Sequence, residues 1–142
     1  MNITEKQKAI IEVFKDLPDW DEKYAYIIKL GKELASFPDE HKKDSFKIEG
    51  CQSQVWLKAE FRDGKVEFLA DSDAMIVKGL IAILVKVYSG ETPESILSTP
   101  PDFLKAIGIE NHLSPTRKNG LGSMLKQIQL YAVAFKAMQS GK

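Results

Sequence analysis

Cys51 is the only cysteine of this 142-residue chain, so any sulfur chemistry must use this one thiol. It follows Gly50, which permits a positive φ or the close approach of another backbone segment. The residues after it, Gln52, Ser53 and Gln54, are polar and typical of a loop tip. A free cysteine is more often a small buried hydrophobe, but this glycine-led polar setting predicts an accessible, reactive thiol.

The chemistry open to Cys51 is nucleophilic attack or sulfur exchange. The thiolate is the reactive form, and an ordinary thiol pKa of about 8.5 leaves only a small fraction of thiolate at neutral pH. We expect the backbone N–H groups of Gln52 and Ser53 to supply some positive potential. Because there is no second cysteine, an internal disulfide is excluded, and a persulfide on Cys51 would not be released as sulfide by a neighbouring thiol.

Composition and charge limit the classes of partner. Lys plus Arg and Asp plus Glu both number 20, so no basic excess points to nucleic acid or an anionic membrane, and we expect protein partners. The length and the hydrophobic content of 44% predict one domain over residues 1–142. The N-terminus lacks the apolar core of a signal peptide, and Lys78 and Lys86 interrupt the most apolar run. A soluble cytoplasmic protein is predicted, in a compartment that keeps the thiol reduced.

The elements around the cysteine read as strands. Apolar and polar residues alternate over 46–48 before the loop, and over 55–61 and 66–70 after it. Asp63 and Gly64 between the last two runs are a strong hairpin signal. The sequence therefore predicts three short antiparallel strands, with Cys51 in the connection between the first two.

Helix signals precede this sheet. Thr4 with Gln7 resembles a capping box for a first helix that Pro18 ends, and Asp19 with Glu22 resembles one for a second helix. The charged residues of 41–44 are expected to form a solvated connection from the second helix to the first strand.

A helix over 74–88 is expected to lie at the centre of the fold, because it is apolar nearly all round. Asp71, Ser72 and Asp73 should supply its N-cap and early negative charge. Further helix starts are predicted at Thr92-Pro93, at Pro100-Pro101-Asp102 with an end near Gly108, and at Ser114-Pro115.

Several of these segments together resemble the SufE family of sulfur-acceptor proteins, which work with a cysteine desulfurase in iron–sulfur cluster assembly. The resemblance runs through most of the chain, and its specificity comes from the order of the segments. They are Trp20-Asp21-Glu22-Lys23-Tyr24, Leu30-Gly31, Gly50-Cys51-Gln52-Ser53-Gln54-Val55-Trp56, Asp71-Ser72-Asp73-Ala74, Ile76-Val77-Lys78-Gly79-Leu80, Leu113-Ser114-Pro115-Thr116-Arg117 and Gly120-Leu121.

The resemblance implies an α+β fold, with a three-stranded antiparallel sheet packed against helices as in the IscU-like scaffold proteins. It implies that Cys51 takes sulfur from the persulfide of a SufS-like cysteine desulfurase, stimulates that enzyme and passes the sulfur to a SufBCD-like scaffold complex. The pyridoxal phosphate belongs to the desulfurase, so no cofactor or metal of its own is expected here. The tip formed by Gln52, Ser53 and Gln54 is more similar to SufE than to a paralogous acceptor family.

The resemblance also marks residues around the cysteine. Gly50, Gln52 and Ser53 form the active loop, and Asp73 matches a family position near that loop, although helix capping is the plainer explanation for this residue on its own. Arg117 matches the family arginine associated with the desulfurase interface, and an ordinary helix-surface arginine is the plain alternative.

Three other functions stay open from the sequence. A cluster scaffold of the same fold would need several thiolate or imidazole ligands, and one cysteine with two dispersed histidines does not furnish them. A cysteine hydrolase would use Cys51 with His112 and an acid such as Asp73. A noncatalytic regulator of a desulfurase would carry no sulfur on Cys51 at all.

Overall fold

The computed structural model describes residues 2–140, and it is an α+β fold as predicted. A two-stranded antiparallel sheet packs against helices. The strands are β1, Val55–Arg62, and β2, Lys65–Ser72; the helices are α1, Ile3–Asp16, α2, Trp20–Lys32, α3, Met75–Tyr88, α4, Pro93–Ser98, α5, Asp102–Ile107, and α6, Pro115–Ser140. Short 3-10 helices cover Asp39–His41, Asp44–Phe46 and Ile109–His112. Within residues 2–140, no helix combines the length and the apolar character that crossing a membrane requires.

The predicted hairpin is confirmed. Strands β1 and β2 pair from Val55 opposite Ser72 down to Arg62 opposite Lys65. Asp63 and Gly64 join them with φ values of 54° and 78°, the left-handed conformation that a tight two-residue hairpin turn requires.

The prediction of a third strand over 46–48 is wrong, because the described part of the chain has two strands in its sheet. Residues Asp44–Phe46 form a 3-10 helix instead, and the pairing is limited to one isolated bridge between Lys47 and Trp56. The N–H of Ile48 donates to the carbonyl of Val55 at 2.8 Å. The apolar alternation reflects the burial of Ile48, which is 3% exposed. The chain turns at Glu49 and Gly50, so the segment is too short to pair with β1 as a strand.

Helix α3 lies at the centre of the core, as its composition predicts. Most of its residues are buried, and it packs against β2 on one side and α2 on another. Its contact with α2 is close because Gly31 and Gly79 meet there. A Cβ atom placed on Gly79 would lie 2.2 Å from the carbonyl oxygen of Ile27, so only glycine fits.

The start of the first helix differs from the prediction. Asn2 and Glu5 form its capping box, with the side chain of each accepting a hydrogen bond from the backbone N–H of the other, whereas the sequence pattern predicts Thr4 and Gln7.

The starts predicted for three other helices are confirmed, because each N-cap side chain accepts from the N–H three residues on. These caps are Asp19, Thr92 and Ser114. Helix α5 begins at Asp102 without a side-chain cap, and Gly108, whose φ is 73°, follows its last residue as the C-cap.

Candidate functional site

The loop that carries Cys51 lies against helix α6, and Gly50 makes this approach possible. Gly50 has a φ of 87°, a conformation that residues other than glycine adopt at a cost. A Cβ atom placed on it would lie 2.5 Å from the Oγ of Ser123 on α6. The predicted need for glycine before the cysteine therefore has two causes, the backbone angle and the neighbouring helix.

The Cys51 thiol is half-buried rather than freely accessible. Its Sγ lies 3.6 Å from the carbonyl oxygen of Gly120, to which the thiol donates. The expectation that the N–H groups of Gln52 and Ser53 supply positive potential to the sulfur stays a prediction. Burial raises the pKa of Cys51, so the resting thiol is protonated at neutral pH and must lose its proton before it can attack.

A cleft of about 400 Å³ opens beside the thiol. Arg117, exposed in the first turn of α6, faces this cleft together with Cys51, and it is the one charged residue of the described lining. The other lining residues are all uncharged: Gln52, Ser53, Val77, Ser114, Thr116, Gly120 and Met124. The structure therefore brings Arg117 to the cysteine loop, although the two are far apart in the sequence.

The far end of the loop is fastened to the sheet through Gln54. The N–H of Gln54 donates to the carboxylate of Asp73 at 3.0 Å, and the carbonyl of Gln54 accepts from the Ser72 hydroxyl at 2.7 Å and from the Asp73 N–H at 3.3 Å. Asp73 thus holds the cysteine loop, and the prediction that it caps the next helix is wrong. Helix α3 has Ala74 as its N-cap, and no side chain caps it.

Asp71 holds the neighbouring Ser72 and two lysines beside the Gln54 end of the loop. No local pattern of the sequence predicts that role. Its carboxylate lies 3.1 Å from the Nζ of Lys42 and 3.1 Å from that of Lys78, and it accepts from the Ser72 N–H at 2.8 Å. Burial acts to raise the pKa of Asp71, but these hydrogen bonds and charges lower it overall. Lys42 also lies over the ring of Trp56 at 5.7 Å, so the expectation of a merely solvated connection is wrong at this residue.

His112 is not part of the cleft. Its ring stacks on Trp20, with 3.8 Å between the ring centroids, and its carbonyl accepts a hydrogen bond from Tyr24. None of the described residues that line the cleft is a histidine, and the Asp73 carboxylate is engaged by Gln54. The arrangement therefore does not assemble the cysteine, histidine and acid that a hydrolase needs.

The side chains that a metal or cluster needs are also dispersed. In the part of the chain that the structure describes, no three residues among histidine, cysteine, aspartate and glutamate are grouped to hold a metal ion. The geometry gives no support to the cluster-scaffold alternative, which requires several such ligands at one point.

Comparisons with known proteins agree on one family. The family described as "SufE: Fe-S metabolism associated domain" matches residues 8–132, which include Cys51, Asp73 and Arg117. An uncharacterized SufE-like protein of Synechocystis sp. is 40% identical over 131 residues, which is 92% of this chain and 82% of that protein. SufE-like protein 1, chloroplastic/mitochondrial, of Arabidopsis thaliana is 40% identical over 129 residues, which is 90% of this chain but 35% of that protein.

A solved structure shares the fold. The solution structure of a hypothetical protein from Thermus thermophilus matches with a TM-score of 0.75 and 26% sequence identity. The match covers 91% of this chain and 94% of that chain, so nearly all of the architecture described above is common to both.

Proposed function

Because this chain belongs to the SufE family, we propose that it is a sulfur acceptor in iron–sulfur metabolism and that Cys51 is the accepting residue. Residues 1–142 act as one SufE-like domain. The observation that carries the proposal is the position of the single thiol, half-buried at the edge of a 400 Å³ cleft beside Arg117. A carrier needs such a place, where an added sulfur atom has room and is partly shielded from solvent.

The transfer step is an exchange between two sulfur–sulfur bonds. The Cys51 thiolate attacks the terminal sulfur of a persulfide on the donor protein, a new S–S bond forms on Cys51, and the donor cysteine leaves as a thiolate. No electrons are gained or lost overall. The proton of Cys51 must leave before the attack, because burial favours the neutral thiol. The Gly120 carbonyl accepts a hydrogen bond from that thiol, but it is not a base that can take the proton. Docking of the donor must therefore change the groups that surround the Cys51 sulfur.

The donor that fits this chemistry is a SufS-like cysteine desulfurase, which carries its own pyridoxal phosphate. The acceptor protein contributes the thiol, the cleft and Arg117, and it has no independent activity. The recipient is a SufBCD-like scaffold complex that builds the cluster. Cys51 must be a free, reduced thiol before each sulfur atom is accepted, which suits the cytoplasm.

The exposed guanidinium of Arg117 has two uses in this proposal. It is the one charged side chain of the described cleft lining, so it can pair with an acidic group of the docked desulfurase. Once sulfur has been transferred, a persulfide anion in the cleft lies near the same positive charge.

Mass spectrometry of Cys51 during desulfurase turnover tests the function. Incubation with a cysteine desulfurase and cysteine should add one sulfur, about 32 Da, to Cys51, and a thiol reductant should remove it because such sulfur is labile to exchange. Cys51→Ser is the control: it should fold normally, gain no sulfur and lose the stimulation of turnover. Active desulfurase without sulfur on Cys51 would refute the carrier. If Cys51 gained no sulfur and Cys51→Ser still stimulated turnover, the protein would be a regulator instead.

A further inference from the structure

Ser72 lies at the base of the cysteine loop, outside the cleft and without a part in the transfer step itself. It is a buried polar residue, 9% exposed, at the end of β2. It is paired with Val55, the first residue of β1 after the cysteine loop. Its hydroxyl donates to the carbonyl of Gln54 at 2.7 Å, and the same carbonyl accepts a longer backbone hydrogen bond from the Asp73 N–H at 3.3 Å. Of the two hydrogen bonds that hold the Gln54 carbonyl where the loop leaves the sheet, the shorter one therefore comes from a side chain.

Ser72 is itself held by several polar contacts. Its own N–H donates to Asp71, which is held by Lys42 and Lys78, and its Oγ accepts from the N–H of Ala74 at 3.3 Å. The hydroxyl is thus fixed in direction as donor to the loop and acceptor from the start of α3. The hydrogen bond is partly buried, because Ser72 is buried whereas Gln54 belongs to the exposed end of the loop.

We propose that Ser72 is a positioning residue for the Cys51 loop: its hydrogen bond to the Gln54 carbonyl keeps the loop against the sheet and the thiol inward at Gly120. This inference rests on the proposed function only for its consequence in sulfur transfer, because the position of the thiol is a property of the free protein. Breaking the bond lets the loop leave the cleft and presents Cys51 to a partner, and remaking it returns the sulfur to the shielded position.

The bond is suited to being broken and remade. When the Ser72 hydroxyl is absent, the Gln54 carbonyl still has the N–H of Asp73 as a donor at 3.3 Å, so it is not left without a partner. The loss of Ser72 therefore loosens the loop without removing every bond at its base. The carboxylate of Asp73 continues to hold the Gln54 N–H at 3.0 Å, and the hairpin below is unaffected.

The test measures how fast iodoacetamide alkylates Cys51 in the free protein. Ser72→Ala should raise the rate about fivefold, the effect of losing one ordinary hydrogen bond. Ser72→Thr keeps the hydroxyl and should react nearly as slowly as the wild type, whereas Ser72→Val, which has the shape of threonine without the hydroxyl, should react as fast as Ser72→Ala. The Thr and Val pair decides the question even if Ser72→Ala does not fold.

Ser89 provides the matched control. Its hydroxyl accepts a hydrogen bond from a backbone N–H of β2, that of Phe68 at 2.9 Å, and it is not part of the loop or the cleft. Ser89→Ala should lose a comparable hydrogen bond and leave the alkylation rate of Cys51 unchanged. An equal rise in Ser89→Ala would mean that general destabilisation exposes the thiol, and would overturn the role of Ser72.

The pH dependence of alkylation adds a second readout. In the variants without the hydroxyl, the rate should rise at lower pH than in the wild type, because a thiol released from the cleft is no longer stabilised in its neutral form by burial. Identical pH profiles and rates for Val and Thr at position 72 would refute the proposal.

Sulfur loading separates this inference from the proposed function. With a desulfurase and cysteine, Ser72→Val should still gain sulfur on Cys51 but lose it to reductant several times faster than Ser72→Thr. If no form of the protein gains sulfur while the alkylation rates differ as expected, the carrier function fails and the positioning role stands. If all forms gain and lose sulfur alike and are alkylated alike, Ser72 has no positioning role and the carrier function stands.

Discussion

Gly50→Ala should destabilise the fold by about 2 kcal/mol and loosen the cysteine loop. The φ of 87° at Gly50 costs a residue with a side chain about 1–2 kcal/mol. The more restricted unfolded chain returns about 0.4–1 kcal/mol of this. The new Cβ would also lie 2.5 Å from the Ser123 Oγ, and turning that hydroxyl away from its rotamer costs about 0.5–1.5 kcal/mol.

Two further variants divide this cost into its parts. Gly64 in the hairpin has a similar φ of 78°, but nothing lies within 4 Å of a Cβ placed there. Gly64→Ala should therefore show the cost of the backbone angle alone. Ser123→Ala removes the Oγ and leaves only a Cβ at 3.4 Å from the new methyl group, so it should recover about 1 kcal/mol in the double variant with Gly50→Ala.

The assay is urea unfolding followed by tryptophan fluorescence, with iodoacetamide alkylation of Cys51 measured in parallel. Gly50→Ala should raise the alkylation rate, and Gly64→Ala should leave it unchanged, because the hairpin turn is at the other end of the strands. If Gly50→Ala costs no more than Gly64→Ala and Ser123→Ala recovers nothing, the loop does not rest on α6 as described and this reasoning is refuted.

Three other predictions concern packing, docking and protonation. Gly79→Ala should lower the free energy of unfolding by about 1–3 kcal/mol through overpacking, since its Cβ would lie 2.2 Å from the Ile27 carbonyl oxygen. Gly122→Ala has open space around it and should raise the free energy of unfolding by about 0.5–1 kcal/mol. Equal shifts in Tm for the two variants would contradict the close contact. Arg117→Ala should weaken binding to a desulfurase by about 1–3 kcal/mol with little change in Tm. Arg117→Lys should retain only part of the wild-type binding free energy. Unchanged affinity by calorimetry would leave Arg117 an ordinary surface residue. Because burial raises the pKa of Cys51, the fold favours the neutral thiol. The stability that this preference contributes is present below the pKa of Cys51 in the unfolded chain and is lost as pH rises through its pKa in the folded protein. Alkylation of the native protein should accordingly rise at higher pH than alkylation of the urea-unfolded chain, and coincident pH profiles would contradict the burial of the thiol.

Local chemistry made parts of the fold predictable from the sequence. Asp63-Gly64 predicts a turn because both residues tolerate positive φ, and Ser114-Pro115 predicts a helix start because the serine caps and the proline lacks an N–H that would need a partner. These signals lie within four residues of the feature they specify. Where two neighbouring residues offer the same chemistry, as Asn2 and Thr4 do, the sequence does not show which one the chain uses.

Contacts between distant segments were not predictable in the same way. Asp73 has the residue type of a helix cap, but the nearby Gln54 N–H at the end of the loop takes its carboxylate, because β1 and β2 bring the two together. The segment 46–48 has the alternation of a strand, but only one of its residues forms a bridge to the edge of β1. In both cases the local pattern is compatible with two structures, and tertiary pairing selects one of them.

The two ends of the cysteine loop are held by different kinds of force, and this difference bears on how a carrier works. At Gly50 the loop is held by close packing, because the absence of a side chain lets the backbone lie on α6 and the φ of 87° directs the chain there. At Gln54 it is held by hydrogen bonds from Ser72 and Asp73, which break over a short distance and can be replaced by bonds to water or to a partner. Movement of the thiol therefore costs least when it begins at the Gln54 end. A docked partner that competes for the Gln54 peptide would lower the cost of turning Cys51 outward, without disturbing the core around α3.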